Sequence, residues 1–351
     1  MARVRLGEVA TERRETYKGS KSGYPVIGLE HLISENINLS MWDESGVNTF
    51  TKMFHKGDVL FGRRRAYLKK AVIAPFDGIC SGDITVIVAR PDHILPELLP
   101  FVIQNDEFFD FAVGRSEGSL SPRVKWEYLR EYEFDLPDMA EQRKLARVLW
   151  AVNDTIEAYR KLMGATEDLV RGQFVEMFGG INSEGIYPRK QWADVLTIIN
   201  GKDYKKVADP DGLYPVYGSG GIMGRANSYL CPENSIVMGR KGTIDKPFVV
   251  TEKFWNVDTT FGVVPNEGVL HYLYLFWYCK QLDFRRLNKA TTLPSTTRKD
   301  LLQLWINVPP YELQQKFADF VYQADKSKSA LQRTLTAARN ISRKIISENL
   351  G

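Results

Sequence analysis

The chain has 351 residues, 44% of them hydrophobic and 26% charged, with a formal net charge of +4 at pH 7. This is the balance of an ordinary soluble globular protein with room for two or three domains, and its slight basic excess permits a polyanionic partner without demanding one. Three cysteines (Cys80, Cys231, Cys279) without paired spacing fit a reduced cytosol better than a disulfide framework or a zinc site. The first residues carry charge from Arg3 onward rather than an apolar signal core, and the longest apolar run, Val269 to Cys279, is too short to span a bilayer, so a cytoplasmic, membrane-free protein is expected.

Up to Pro137 the chain shows short Val/Ile/Phe-rich runs punctuated by turn residues. Val59-Leu60-Phe61 stops at Gly62, Ala71 to Ala74 stops at Pro75, and Ile84 to Ala89 stops before Pro91. These read as strands, and the denser Leu/Phe stretch from Pro96 to Phe111 reads as one or two helices. From Ala140 to Phe178 proline is absent, and a seam recurs at spacings that alternate four and three up to Val170 and end on a second four: Leu145, Leu149, Val152, Ile156, Tyr159, Met163, Thr166, Val170 and Phe174. All but Thr166 are apolar. That heptad pattern predicts a helix of about 60 Å with one face against another helix, stopped at Gly179-Gly180. A second strand-rich stretch runs from Trp192 to Val308. After Pro309-Pro310 a second seam follows at Leu313, Phe317, Val321, Ala324, Lys328, Leu331, Leu335, Ala338 and Ile345, interrupted by the polar Lys328 and Ser342.

The two strand-rich stretches echo each other in order. Tyr214-Pro215-Val216-Tyr217-Gly218 follows Tyr24-Pro25-Val26-Ile27-Gly28, and Gly239-Arg240-Lys241 follows Gly62-Arg63-Arg64. Asp258-Thr259-Thr260 is read against Asp83-Ile84-Thr85. Val308-Pro309, leading to Gln314, is read against Leu136-Pro137, leading to Gln142. The offset falls from 190 residues (Tyr24 to Tyr214) to 172 (Pro137 to Pro309), far beyond a solenoid period. Each long helix has an apolar stripe that is unstable alone in water, so the two are expected to bury their seams against each other, and connectivity makes them antiparallel. The expected fold is α+β: two tandem mixed α/β domains related by an approximate two-fold, separated by two long antiparallel coiled-coil helices. The expected boundaries are 1–137, 138–179, 180–309 and 310–351.

This plan, with the Tyr-Pro-Val segments, the Gly-Arg turns and the hydrophobic-Pro junctions before a Gln-containing helix start, resembles the specificity subunit of type I restriction–modification systems over nearly the whole chain. The resemblance implies two target-recognition domains that each read one half of a split, asymmetric site in double-stranded DNA. It implies helices that act as a ruler and dock for two methyltransferase subunits, with restriction subunits in the full complex. The methylation chemistry, with S-adenosylmethionine, then resides in those partners; this chain is non-catalytic and needs no cofactor. The halves also differ: the segment from Gly28 to Gly62 is about 13 residues longer than its counterpart from Gly218 to Gly239. A coiled-coil scaffold whose two heads bind proteins is the rival reading.

Enzymatic motifs fail on inspection. Val308-Pro309-Pro310-Tyr311 has Val308 where an amino-methyltransferase loop needs a polar side chain, so it reads as a strand-to-helix junction. Gly218-Ser219-Gly220-Gly221 lacks both dinucleotide and P-loop registers. His31, His55, His93 and His271 have no metal-ligand spacing. The basic turns carry the DNA expectation. Arg63, Arg64, Arg65 and Lys69 follow one strand end, and Arg240 and Lys241 stand at the equivalent turn; a solvated loop is the usual meaning of such a run, but the repetition favours contact with phosphate or guanine. Arg115, Ser119 and Arg123, opposite Thr292, Ser295 and Arg298, pair hydroxyls with arginines as phosphate positioning does, and as turns also do. Lys202 and Arg225 complete the set. Trp42, Trp126, Trp192, Trp255 and Trp277 are expected in cores.

Overall fold

The apolar runs that lack polar alternation become the central strands, as expected of segments buried on both faces. The structure is a computed structural model that describes residues 2–19, 23–44, 48–181, 186–287 and 295–351. The chain divides into two compact units, Met1–Lys161 with Gln332–Gly351, and Leu162–Leu331.

The first unit holds strands β1 (Ala2–Arg5), β2 (Ala10–Glu12), β3 (Val26–Ile27), β4 (Lys52–Phe54), β5 (Val59–Gly62), β6 (Ala71–Ile73), β7 (Gly78–Cys80), β8 (Ile84–Ala89) and β9 (Glu133–Leu136). They form a four-stranded sheet β2-β8-β5-β6, a three-stranded sheet β3-β7-β4 and the antiparallel pair β1-β9. Every residue of β5 is buried. The Leu/Phe stretch forms helices Leu99–Ile103 and Asp106–Gly114, the second capped by the Asn105 side chain, which accepts from Glu107 N at 3.2 Å. In the core beneath, Phe61 stacks on Phe109 and meets Phe108 edge-on, with Trp126 in the same cluster.

The second unit holds β10 (Arg189–Gln191), β11 (Leu196–Asn200), β12 (Tyr214–Gly218), β13 (Gly221–Ala226), β14 (Ser235–Gly239), β15 (Phe248–Val250), β16 (Trp255–Asn256), β17 (Thr260–Pro265) and β18 (Trp305–Asn307). Its sheets are β11-β17-β14-β15, β13-β12-β16 and β10-β18. The four-stranded order matches that of the first unit strand for strand. The parallel pair also recurs: Val26 faces Ile79 as Val216 faces Trp255. The third strand differs. In the first unit β4 lies beside β7, whereas in the second the hairpin strand β13 lies on the other side of β12. The apolar run from Val269 is largely the buried helix Tyr272–Cys279. Trp126, Trp192, Trp255 and Trp277 are buried, but Trp42 is exposed and meets Phe76 edge-on.

Each hydrophobic-Pro junction is locked by one glutamine. Gln142 accepts from Leu95 N at 2.8 Å and donates to Pro137 O at 2.9 Å. Gln314 accepts from His271 N at 2.8 Å and donates to Pro309 O at 2.8 Å and to Val269 O at 3.0 Å. Both amides are buried. An amide suits this place because it donates and accepts from one rigid plane without carrying charge, and leaving such buried groups unmet costs about 1–3 kcal/mol.

The long helices span Met139–Phe178 and Tyr311–Leu350. Leu145, Leu149, Val152, Ile156, Tyr159 and Met163 all lie on the buried or half-buried face, as do Phe317, Val321, Leu331 and Leu335. Each unit contains a stretch of both helices. In the second unit Glu167 pairs with Lys328 at 3.3 Å and Phe174 meets Phe317 with ring centroids 5.4 Å apart, so the stretches run antiparallel there. In the first, Leu145 and Val148 share a groove with Ile345 and Asn349, while Arg160 lies near Arg339. Among the described residues no helix is long and apolar enough to cross a membrane.

Candidate nucleic-acid interface

Both units present a basic turn where the central strand of the four-stranded sheet ends in glycine. At Gly239 a Cβ would stand 1.9 Å from Thr243 O, so only glycine lets the strand end there. In the first unit Arg63 N donates to Asp83 O at 3.0 Å, Val124 N donates to Arg63 O at 3.0 Å, and Arg65 N donates to Pro122 O at 2.7 Å. Arg65 and Lys69 adopt left-handed backbone, φ 55° and 49°, around the tight turn Ala66–Leu68. In the second unit Arg240 N donates to Thr259 O at 2.8 Å and Thr296 N donates to Arg240 O at 3.0 Å, while Lys241 bridges to Ser295.

These bonds set the register between the two turns and correct one sequence echo. Gly62 faces Ile84 as Gly239 faces Thr260, so Asp83 corresponds to Thr259, not to Asp258. The consequence is electrostatic. In the first unit Arg123 clamps Asp83 through Nε–Oδ1 at 2.7 Å and Nη2–Oδ2 at 3.3 Å, and Arg64 joins at 3.5 Å while donating to Ser121 Oγ at 3.0 Å. In the second unit Thr259 and Ser295 stand at the positions of Asp83 and Arg123.

The Arg123 guanidinium, then Arg64, holds the Asp83 carboxyl below its ordinary range. A carboxyl depressed in the fold contributes stability that is complete above its unfolded value, about 3.9, and is lost as pH falls through the lower folded value. Asp83→Asn should therefore flatten the acid limb of the first unit's stability below about pH 4, read as unfolding midpoints between pH 2.5 and 7. An unchanged acid limb would remove the clamp from the account.

The remaining expected residues fall into distinct settings. Arg63, Arg64, Arg65 and Arg123 converge on one turn, with Arg63 Nε buried and without a hydrogen-bond partner among the described residues. Arg115 and Ser119 are exposed on the segment that returns to Arg123, Arg115 lying 5.5 Å from the Phe111 ring centroid. Lys69 turns away to pair with Asp106 at 2.5 Å. In the second unit Arg240 and Lys241 are exposed beside Ser295, Arg240 lying over the Phe261 ring. Arg298 Nε donates to Ile198 O at 3.1 Å, and Arg225 donates to Gly212 O at 2.5 Å and Leu213 O at 2.8 Å, so both are engaged by backbone carbonyls. Lys202 follows β11 with an exposed side chain, and its carbonyl accepts from Trp255 Nε1. Thr292 lies outside the described residues. Sequence reasoning missed Ser121 and the anchoring role of Asp83, and no local pattern signals either.

Among the described residues no group of three His, Cys, Asp or Glu is placed to hold a metal. Burial pushes the Cys80 and Cys231 thiols up to about 12. His31 and His271 accept from backbone N–H groups, and His55 lies between Asp77 and Glu15.

Residues 189–338 match the type I restriction modification DNA specificity domain. The chain is 29% identical over 153 residues to the type I restriction enzyme EcoDI specificity subunit of Escherichia coli, covering 42% of this chain and 30% of that protein. It is 24% identical over 313 residues to the MjaIX specificity subunit of Methanocaldococcus jannaschii, covering 77% and 71% respectively. The fold is similar to the crystal structure of the type I restriction–modification S subunit from M. genitalium, with a TM-score of 0.59 at 12% identity, covering 100% of this chain and 96% of that one.

Proposed function

Because this chain belongs to the specificity-subunit family of type I restriction–modification systems, we propose that it is a non-catalytic subunit that recognises a split site in double-stranded DNA. Each unit reads one half of the site through its basic turn. The long helices dock two methyltransferase subunits, which carry out the methylation, and restriction subunits join in the full complex. One observation carries this reading: the same backbone turn, ending the same central strand and bearing Arg63-Arg64 in one unit and Arg240-Lys241 in the other, occurs in both. The side chains suit the task, since arginine and lysine neutralise phosphates and arginine grips guanine in two places.

The salt dependence of DNA affinity in the assembled complex tests it. Each phosphate contact should contribute a slope of about −0.9 in log affinity against log salt, so two basic turns predict a steep loss as salt is added. A protein-binding scaffold would show affinity for DNA that is absent or indifferent to salt, and that result would reject the proposal.

A further inference from the structure

In the first unit the segment from Glu117 to Arg123 is a loop pinned at both ends. Glu117 N donates to Arg123 O and Arg123 N to Glu117 O, each at 2.9 Å. Gly118, at φ 105°, makes a turn that an L side chain would strain. The loop is then tied to the basic turn: Arg65 N donates to Pro122 O at 2.7 Å and Arg64 Nε to Ser121 Oγ at 3.0 Å. At its tip stands Leu120, 90% exposed, more than any other large apolar residue described. A scattered surface leucine needs no explanation. This one is held out by a fixed loop, between the small Ser119 and Ser121, and belongs to neither hydrophobic core of the unit.

The surroundings point to what covers it. Arg64 and Arg123 face each other across the bridge at the base of the loop, and Arg65 and Arg115 are exposed on the segments that lead to it. The nearby carboxylates are already taken, Asp83 by Arg123 at 2.7 Å and Glu117 by Lys125 at 2.9 Å and the Tyr128 hydroxyl at 2.7 Å. Such a field suits a polyanion. Leucine offers that partner no hydrogen bond, so burial of its apolar surface is all it can gain there. Arginine grips guanine in two places along the major-groove edge, and in that groove the one apolar group on a base edge is the 5-methyl of thymine. A wedge between base steps works instead from the minor groove.

Resting on the reading of the Arg63-Arg64 turn as a DNA contact, we propose that Leu120 selects thymine at one position of the first unit's half-site by covering its 5-methyl group. The hydrogen bonds to Arg64 and Arg65 place the leucine in the same groove as the arginines. The contact supplies sequence choice, which arginine on phosphate does not.

The test uses the complex assembled with the methyltransferase subunits. Deoxyuridine, which lacks only the 5-methyl group, replaces each thymine of that half-site in turn. One position should lose about three- to fivefold in affinity, the scale of one buried methyl group. Leu120→Ser should bind the unmodified site more weakly by about the same factor and should no longer distinguish thymine from deoxyuridine at that position, whereas Leu120→Met should keep the distinction. Neither variant should shift the thermal midpoint, because the side chain is exposed. Substitutions in the other half-site should affect parent and variants alike. The proposal is overturned if no position in the first unit's half is sensitive to the methyl group, or if Leu120→Ser is as sensitive as the parent. Weaker binding by Leu120→Ser with no methyl-sensitive position would mark a wedge or another contact, and equally overturns it. Failure of the underlying reading looks different: the parent would bind DNA without a salt slope, or Arg63→Ala with Arg64→Ala would leave both half-sites undisturbed.

Discussion

Replacing Phe317 with alanine should cost about 3–5 kcal/mol, the range for deleting a buried aromatic side chain. Phe317 is fully buried and makes ring contacts to Phe174 and Phe178, with centroids 5.4 Å away in each case. Tyr274 closes the same cluster, 5.4 Å from Phe174 and 4.8 Å from Phe178. Its hydroxyl donates to Asn307 O at 2.7 Å, so the cluster is tied to β18 and cannot easily collapse into the void. Edge-on and stacked pairs add to the area term. The loss should be local, with amide protection falling across residues 162–331 of the intact chain while residues 2–161 keep theirs. A cost under about 1 kcal/mol would mean that the two helix stretches do not depend on this cluster.

Leu149→Asp should be at least as severe, about 4 kcal/mol or more, because it buries a charge with no partner and deletes packing at once. Leu149 is fully buried in the core that also holds Ala146, Ile346 and Leu350. Here the loss of amide protection should fall on the first unit, the mirror of the Phe317 result. Leu149→Met, which conserves volume, should cost less than about 1.5 kcal/mol. Equal tolerance of Asp and Met would place Leu149 outside the seam.

The long helices were legible because two features coincide, a proline-free stretch and apolar residues at alternating spacings of four and three. Burial follows that series, with the polar Gln142 and Asn153 added on the same face. Strands β5, β6 and β8 were legible as apolar runs closed by glycine or proline. The glutamines stood out as landmarks, but their bonding to the chain before each helix was not legible, since it joins residues more than 40 positions apart. The echo of Asp83 in Asp258 failed for a related reason. Identity at a loop position is cheap, whereas the hydrogen-bond register of β14 with β17 is not, and the register puts Thr259 there. Nor does a list of cations reveal which are engaged within the protein. Lys69, at a left-handed position of the backbone, meets Asp106, and Arg225 and Arg298 meet carbonyls supplied by neighbouring strands and loops.

The most direct test of DNA reading by two separate units is to bind two double variants, Arg63→Ala with Arg64→Ala and Arg240→Ala with Lys241→Ala, each assembled with the methyltransferase subunits. The target sites carry base substitutions in one half or the other. Arg123 keeps its hold on Asp83 in the first variant, so the turn retains an anchor. Loss of a bidentate base contact should cost about 1–3 kcal/mol and relax preference at one position, whereas loss of a phosphate contact should lower the salt slope by about one. The account predicts that each variant disturbs recognition of one half-site only, and a different half for each. Identical effects of both variants on both halves, or no effect from either, would contradict it.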